Sequence, residues 1–449
     1  MERRSFLSLA GAWASTAGAQ SGGRPNFLLI VLDDAGYGDF GCFGQKLIRT
    51  PRIDGLAQQG TRFTDFYCGA PVCAPSRCVL MTGLHGGHAA IRANAGTVSI
   101  RDEDVTLAEV LKGAGYRTGG FGKWGLGDAA TPGVPTRQGF DEFFGYLHQV
   151  HAHSYYPEFL WDNEQRLDLH GKYSAELIAG RSFAFLEKQS AQQPFFLYAC
   201  YTLPHAKFEG PDTAPYRDQP WPEPAKHYAA MLTRADGYIG RLLDILHQKG
   251  LDSNTIVIVA TDNGAHSGVD KGYELFHSNG DLRGEKGTVY EGGIRVPCVV
   301  RWPGKVKAGA SNNTPWGFVD ILPTFAALAR AKTPAGLDGV SMAGFLQGGA
   351  APHHPFLYWE QNIFNMQQQK WNPAGHARAL RDGQWKAVRR AGGGVELYDL
   401  AADRQERTDL ASSQPELARR YGALLDAAHT GPRSHGGASM QFRTEWKAN

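Results

Sequence analysis

Two unbroken apolar runs in the chain stop on polar pairs: NFLLIVLDD, Asn26 to Asp34, and NTIVIVATDNG, Asn254 to Gly264. A run without alternation predicts a strand buried on both faces of a parallel sheet. TPRIDGLAQQG follows the first run and predicts a short helix, with Thr50 as N-cap, Pro51 in the first turn and Gly60 at the carboxyl end. The alternation continues with a helix near Thr106 to Lys112, a strand near Tyr116 to Phe121, a helix near Tyr173 to Lys188, the strand PFFLYACY and a long helix from Pro224 to Gln248. Helix alternating with buried strand predicts an α/β fold, a large mixed but mainly parallel sheet flanked by helices.

Past about Ala350 the texture changes to short strands with turns: PFLYWE, ARALRDGQWKAVRR and GVELYDL, with Asp382-Gly383 and Gly392 to Gly394 as turns. A final helix from Gln414 to Ala428 carries Leu417, Tyr421, Leu424 and Leu425 on one face. The predicted organisation is a main unit over 25–350 and a small antiparallel subdomain over 351–449.

Charge is nearly balanced, with 46 Lys and Arg against 44 Asp and Glu, and the basic residues are scattered. This argues against a nucleic-acid binder. Beyond the amino terminus no apolar run reaches about 18 residues, so no membrane span is expected. Residues 1–20, MERRSFLSLAGAWASTAGAQ, read as an export signal, and Arg3-Arg4 followed by Phe6-Leu7 resembles a bacterial twin-arginine signal. A periplasmic or secreted protein is expected. Six cysteines in 449 residues do not make a disulfide scaffold. Either Cys68 pairs with Cys78, or all but one are small buried apolar residues.

Ligands of open α/β sheets bind at the carboxyl ends of the strands, where Asp33-Asp34 and Asp262-Asn263 both fall. A single strand-terminal Asp serves more often as a cap or turn former. Two doublets in equivalent places instead gather three carboxylates and an amide oxygen, which repel one another unless a cation sits among them. An all-oxygen set suits Ca²⁺ or Mg²⁺ rather than Zn²⁺. Between them CAPSRCVLMTG places Cys73 at a strand-to-helix junction, facing the positive end of the helix dipole. A thiol there is expected to have a lowered pKa, so a cysteine hydrolase with an imidazole partner is one reading. Arg77, one turn on, would complement an anionic substrate.

The ordered set LDD, CAPSRCVLMTG, GKWGLG, TLPHAKF, TDNG and GEKGTVYEGGIRVP resembles the formylglycine-dependent sulfatases, a branch of the alkaline-phosphatase-like superfamily. The likeness runs from about Pro25 to the carboxyl end, and ELYDLAADRQERTDLA resembles the family's C-terminal subdomain. Cys-x-Pro-x-Arg, followed by Thr82-Gly83, is the signal read by the maturation enzyme that oxidises the cysteine to formylglycine. The resemblance implies that the aldehyde made from Cys73 hydrates to a geminal diol. One hydroxyl attacks the sulfur of a sulfate ester; the second then loses its proton, expelling sulfate. Asp33, Asp34, Asp262 and Asn263, with residue 73, would hold the metal, by analogy Ca²⁺ rather than Mg²⁺. Arg77 and Lys123 would stabilise the diol and the sulfuryl oxygens, and His205 with Lys286 would bind sulfate and protonate the leaving alkoxide. Outside their motifs these would read as solvated lysines and a core histidine.

Many members read Gly-Lys-Trp-His-Leu-Gly where this chain has GKWGLG, so Gly125 replaces an imidazole placed to accept the diol proton. His151 and His153, in GYLHQVHAHSYYPEFLW, are the nearest candidates to substitute or to contact sulfate, with His153 preferred. Alternatively, glycine opens the pocket to a bulkier substrate. The expected activity is hydrolysis of a sulfated sugar or polysaccharide, with Tyr155, Tyr156 and Trp161 stacking on sugar rings or simply packing their loop. Two alternatives remain: a phosphonate or phosphodiester hydrolase using the same formylglycine, and a sulfated-glycan binder without turnover.

Overall fold

Every residue from Phe27 to Leu32 is fully buried, and the strand they form lies at the centre of the larger sheet. The computed structural model describes residues 23–95, 99–266, 272–365 and 370–431, so the expected export signal lies outside the described residues. The main sheet is built from β1 (Asn26–Leu32), β2 (Thr61–Phe63), β3 (Arg117–Lys123), β4 (Glu142–Tyr146), β5 (Phe159–Asp162), β6 (Gln165–Asp168), β7 (Phe195–Cys200), β8 (Thr255–Thr261), β9 (Cys298–Arg301) and β10 (Ala310–Asn312). Their spatial order is β10-β2-β9-β8-β1-β7-β3-β4-β5-β6. The central strands β8, β1, β7, β3 and β4 run parallel, whereas β9 is antiparallel to both neighbours and β5 and β6 return antiparallel at one edge. The sheet is mixed and mainly parallel, as the apolar runs predict.

Both faces are covered. Phe27, Leu29 and Val31 point into one apolar layer, Leu28, Ile30 and Leu32 into the other, which is why the run shows no alternation. One layer takes in α2 (Cys73–Thr82), α3 (Leu107–Gly113) and α6 (Ile321–Leu328); the other takes in α1 (Pro51–Gln59), α4 (Ser174–Glu187) and the 26-residue α5 (Glu223–Gln248). Thr106 caps α3 with a full capping box to Glu109. α2 is buried on every side. Its composition suits that place, since its polar side chains Ser76, Arg77 and Thr82 each find a partner.

The C-terminal sheet is antiparallel, in the order β11 (Leu357–Asn365), β12 (Lys370–Asp382), β13 (Trp385–Arg390), β14 (Val395–Asp399). Helix α7 (Pro415–Ala427) covers one face, burying Tyr421 and Leu425 against Leu380, Ala387 and Leu397, with Leu417 and Leu424 partly buried beside them. Trp359 crosses to the main unit, its indole N–H donating to the Cys68 carbonyl at 2.8 Å. Cys68 and Cys78 are both buried and unpaired, so of the two readings of the cysteines the apolar one holds for them. No helix among the described residues is long and apolar enough to cross a membrane.

Candidate active site

Leu32 and Thr261 are register partners in the parallel pair β1 and β8, so the doublets that follow them emerge side by side at the carboxyl edge. Asp34 sits in the left-handed region at φ 64°, where its N–H donates to Asp262 Oδ1 at 3.2 Å. Asp tolerates this conformation better than most residues, and the turn it makes keeps two consecutive carboxylates at one site. Cys73 opens α2 directly above them, with Sγ 3.4 Å from Asp33 Oδ1 and 3.8 Å from Asp34 Oδ1.

Three cations neutralise the three carboxylates. Lys123, the last residue of β3, donates to Asp33 Oδ2 at 2.7 Å. Lys286 donates to Asp34 Oδ2 at 2.6 Å. Arg77 grips Asp262 Oδ2 through Nε at 3.0 Å and Nη2 at 2.8 Å, while its Nη1 donates to the Lys123 carbonyl. Its fork is therefore turned to a carboxylate of the chain itself, and it acts on the site by its charge. Burial alone would raise the Asp33 carboxyl, but Lys123, His205, Arg77 and Lys286 hold it well below the usual carboxylate range. Burial and the neighbouring Asp33 push Asp262 up to about 7 in spite of Arg77.

His205, in the loop after β7, places Nε2 3.4 Å from Asp34 Oδ2 and 3.3 Å from Lys286 Nζ. Its Nδ1–H donates to the Ala206 carbonyl, which leaves Nε2 as the bare nitrogen and Lys286 as the donor between them. Burial pushes the imidazole down to about 4. The lysines of the motifs, Lys123 buried and Lys286 partly buried, are thus members of one cluster, not solvated side chains.

The structure corrects several expectations. Burial pushes the Cys73 thiol up to about 12 rather than lowering it, because desolvation and the carboxylates beneath outweigh the helix terminus and the lysines. A cysteine hydrolase built on a ready thiolate does not fit this setting. Tyr155 is fully buried, its hydroxyl donating to the carbonyls of Thr202 at 2.6 Å and His205 at 2.9 Å, so it braces the His205 loop and offers no face to a sugar. Trp161 packs edge-on against Phe159, whereas Tyr156 is 41% exposed.

The two candidate histidines separate cleanly. His151 packs between the rings of Tyr146 and Phe159, each 4.9 Å away. His153 stacks on His205 at 4.5 Å and belongs to the cluster, with its Nε2 buried and without a hydrogen-bond partner among the described residues. Gly125 has φ 76°, and a Cβ there would stand 2.8 Å from Gln149 Oε1. The amide of Gln149 thus lies beside the glycine, where a side chain would meet it. Gln149 was missed by sequence reasoning; the only signal was an amide in HQVHAH close to a glycine in place of a side chain.

The donor set fits a hard divalent cation. Asp33, Asp34, Cys73 and His205 bring one ligand atom each within 4.8 Å of one another, and Asn263, hydrogen-bonded to Asp34 Oδ1 through Nδ2 at 2.7 Å, has a buried Oδ1 without a hydrogen-bond partner among the described residues. Such an orphaned acceptor beside paired carboxylates is what an oxygen-seeking ion satisfies.

The chain is similar to known proteins over most of its length. The family model described as Sulfatase matches residues 25–331, and that described as N-sulphoglucosamine sulphohydrolase, C-terminal, matches residues 284–420. Human arylsulfatase A is 33% identical over 93% of this chain and 91% of its own length; mouse steryl-sulfatase is 29% identical over 92% and 82%. The crystal structure of Ps i-CgsB superposes with a TM-score of 0.80 at 29% identity, covering 91% of this chain and 94% of that one. The same protein has been seen in complex with k-i-k-neocarrahexaose, and that structure matches with a TM-score of 0.79. Buried carboxylates, their paired cations and a cysteine opening a helix thus occur here within a matched length that takes in most of the chain, and the protein belongs to the sulfatase family, as an arylsulfatase-like enzyme that hydrolyses sulfate esters.

Proposed function

We propose that the enzyme removes sulfate from a sulfated sugar or polysaccharide, using formylglycine made from Cys73 and a Ca²⁺ ion. The observation that carries this reading is the convergence on one buried sulfur of Asp33, Asp34, Lys123, Lys286 and His205. Asp33, Asp34, Asp262 and Asn263 would hold the ion, with Mg²⁺ the less suited alternative for a crowded, flexible oxygen set. Once bound, the ion adds positive charge to a site whose own three carboxylates and three cations cancel, which favours a singly charged sulfate ester and an oxygen nucleophile at residue 73.

The chain's own residues then divide the work. Hydration of the aldehyde gives residue 73 two hydroxyls, one to attack sulfur and one whose loss of a proton re-forms the carbonyl and frees sulfate; a serine lacks that exit. Lys123 and Arg77 fix the carboxylates and stabilise charge as it grows on the sulfuryl oxygens. Lys286, hydrogen-bonded to a neutral His205, is the cation placed to give a proton to the leaving alkoxide. To His153, whose Nε2 is buried and without a partner among the described residues, we assign acceptance of a proton from the second hydroxyl, against burial and Lys123, which push its imidazole down to about 2. We expect His153→Ala to lower kcat about a hundredfold. His151→Ala is expected to lower stability while turnover per folded molecule stays near that of the parent; equal small effects on kcat would remove His153 from the mechanism.

Support for a sugar comes from a depression of about 500 Å³ lined by Ser154, Tyr156, Phe208, Glu209, Gly210 and His227. It adjoins the site through Ser154, which follows His153, and Phe208, in the His205 loop. An exposed tyrosine ring, a partly buried phenylalanine and a histidine whose buried Nδ1 has no hydrogen-bond partner among the described residues suit a ring that is apolar on one face and hydroxylated at its edge. Export by the amino-terminal segment, a maturation enzyme as partner and a catalytic unit over 25–350 followed by a small subdomain complete the reading. The test is sulfate release from defined sulfated mono- and oligosaccharides, with an aryl sulfate and an aryl phosphodiester in parallel. Release from a sugar sulfate faster than from the phosphodiester is expected. Preference for the phosphodiester would place the enzyme with the diester and phosphonate hydrolases, and tight binding of sulfated glycan without release would make it a binder.

A further inference from the structure

A cavity of about 800 Å³ opens at the amino ends of the central strands, the edge of the sheet opposite the active site. Asn26, the first residue of β1, and Asn254, the residue before β8, both line it. β1 is seven residues long, so roughly 23 Å of strand separates the cavity from Asp33. Its charge is one-sided. Arg24, Lys305 and Arg330 line it, and no acidic residue does. Asp252, between the lining residues Leu251 and Ser253, is taken by Arg301 through two hydrogen bonds of 2.7 and 2.6 Å. The exposed Lys249, Lys307 and Lys332 each lie within two positions of a lining residue. Cations at helix carboxyl ends are stabilising wherever they occur, which accounts for Lys249 at the end of α5 and Arg330 after α6. It does not account for Lys305 and Lys307, in the loop after β9, or for Arg24, which leads into β1. Arg24 donates to the Ala114 carbonyl and lies over the Tyr116 ring at 5.4 Å, contacts that leave its charge uncancelled. Trp302 and the exposed Gln192 add an aromatic ring and an amide, groups that suit a sugar.

We infer that this cavity is a second, non-catalytic binding site for a sulfated polysaccharide, in which Arg24, Lys305 and Arg330 hold sulfate groups of the polymer other than the one being cleaved. This rests on the sulfated-glycan reading above. The chain as a whole is nearly neutral, with 46 basic against 44 acidic residues, so a cavity of one sign is a local feature and attracts an anion locally. A polymer held there raises the concentration of its remaining sulfate esters around the catalytic site without any new contact at that site. Residues 1–22 join the chain at Gly23, which also lines the cavity, but with Arg3 and Arg4 against Glu2 that segment carries the same sign as the cavity and is the poorer match.

The experiment compares the full chain with a double variant, Lys305→Glu with Arg330→Glu, both exposed positions. Binding of dextran sulfate, unsulfated dextran and polyglutamate is measured by calorimetry, and kcat/KM is measured with a small aryl sulfate. The parent is expected to bind dextran sulfate more tightly than either control, and the variant to bind it about tenfold more weakly with a shallower dependence on salt. The aryl sulfate does not reach the cavity, so its kcat/KM should stay within about twofold of the parent. Dextran sulfate affinity of the variant within twofold of the parent overturns the inference, as does an equal loss of kcat/KM with the aryl sulfate, which would trace the effect to the fold. Polyglutamate or unsulfated dextran bound as tightly as dextran sulfate overturns it too, by showing a surface for any polyanion or a neutral sugar. Binding that appears only once residues 1–20 are removed would assign the cavity to that segment instead. If the parent binds dextran sulfate yet releases sulfate from no sugar, the functional reading fails, a result distinguishable from equal binding by parent and variant.

Discussion

Replacing Cys73 by alanine is expected to lower turnover by a factor on the order of 10⁴, while leaving the fold intact. The side chain is fully buried and makes its close polar contacts with Asp33 and Asp34, so truncation removes the attacking group and little else. The more informative variant is Cys73→Ser. A serine hydroxyl can attack sulfur but has no second hydroxyl with which to expel sulfate, so one equivalent of sulfated serine should accumulate and turnover should stop. In the parent enzyme made in a host with the maturation enzyme, the peptide containing residue 73 should be about 18 Da lighter than the unmodified one, the thiol-to-aldehyde change. The same chain from a host lacking that enzyme should carry an intact thiol and be inactive. A thiol there is also poorly placed to ionise, packed against two carboxylates in a dry site. Full activity with an unmodified cysteine would sink the formylglycine mechanism.

The parts of this site that were legible in the sequence share one property: each is set by a local pattern. Apolar runs ending in Asp33-Asp34 and Asp262-Asn263 locate strand ends because burial on both faces suppresses alternation, and register then places the doublets together. The turns at Asp382-Gly383 and the amphipathic face of α7 are equally local. What was not legible depends on neighbours remote in the chain. Whether the Cys73 thiol is raised or lowered is decided by burial and by Asp33, forty residues earlier, rather than by its place at a helix start. Tyr155 reads like a sugar platform until its hydroxyl is seen to hold the Thr202 and His205 carbonyls. The strands Thr61–Phe63 and Ala310–Asn312, at one side of the sheet, are three residues each, too short to carry a period.

Lys386→Met is expected to destabilise the protein by about 3–5 kcal/mol, the cost of removing one partner from a buried ionic cluster. Lys386 has no exposed side-chain surface and bridges Glu291 Oε1 at 2.8 Å and Glu406 Oε1 at 2.7 Å, both carboxylates equally buried. Glu291 is further held by Tyr67 and Arg295, and Arg381 pairs with Asp65 at 2.8 Å, so three acids and three bases meet where the C-terminal sheet joins the main unit. Methionine keeps the volume but leaves one negative charge in excess, with the carboxylates of Glu291 and Glu406 facing each other. Burial already pushes Glu406 up to about 7, and loss of Lys386 would raise it further. A carboxyl whose folded pKa lies above its unfolded value near 4.5 favours folding at low pH and loses that advantage as pH rises through the folded value. The gap in stability between variant and parent should therefore narrow as pH falls from about 8 towards 5 and widen in the other direction. The damage should also reach the active site. Glu291 lies five residues beyond Lys286, and the Gly287 N–H donates to the Pro71 carbonyl at 2.8 Å, two residues before Cys73. Unfolding midpoints across that pH range, with kcat/KM per folded molecule, test both points: a pH-independent difference below about 1 kcal/mol would show that the cluster contributes no more than an exposed pair.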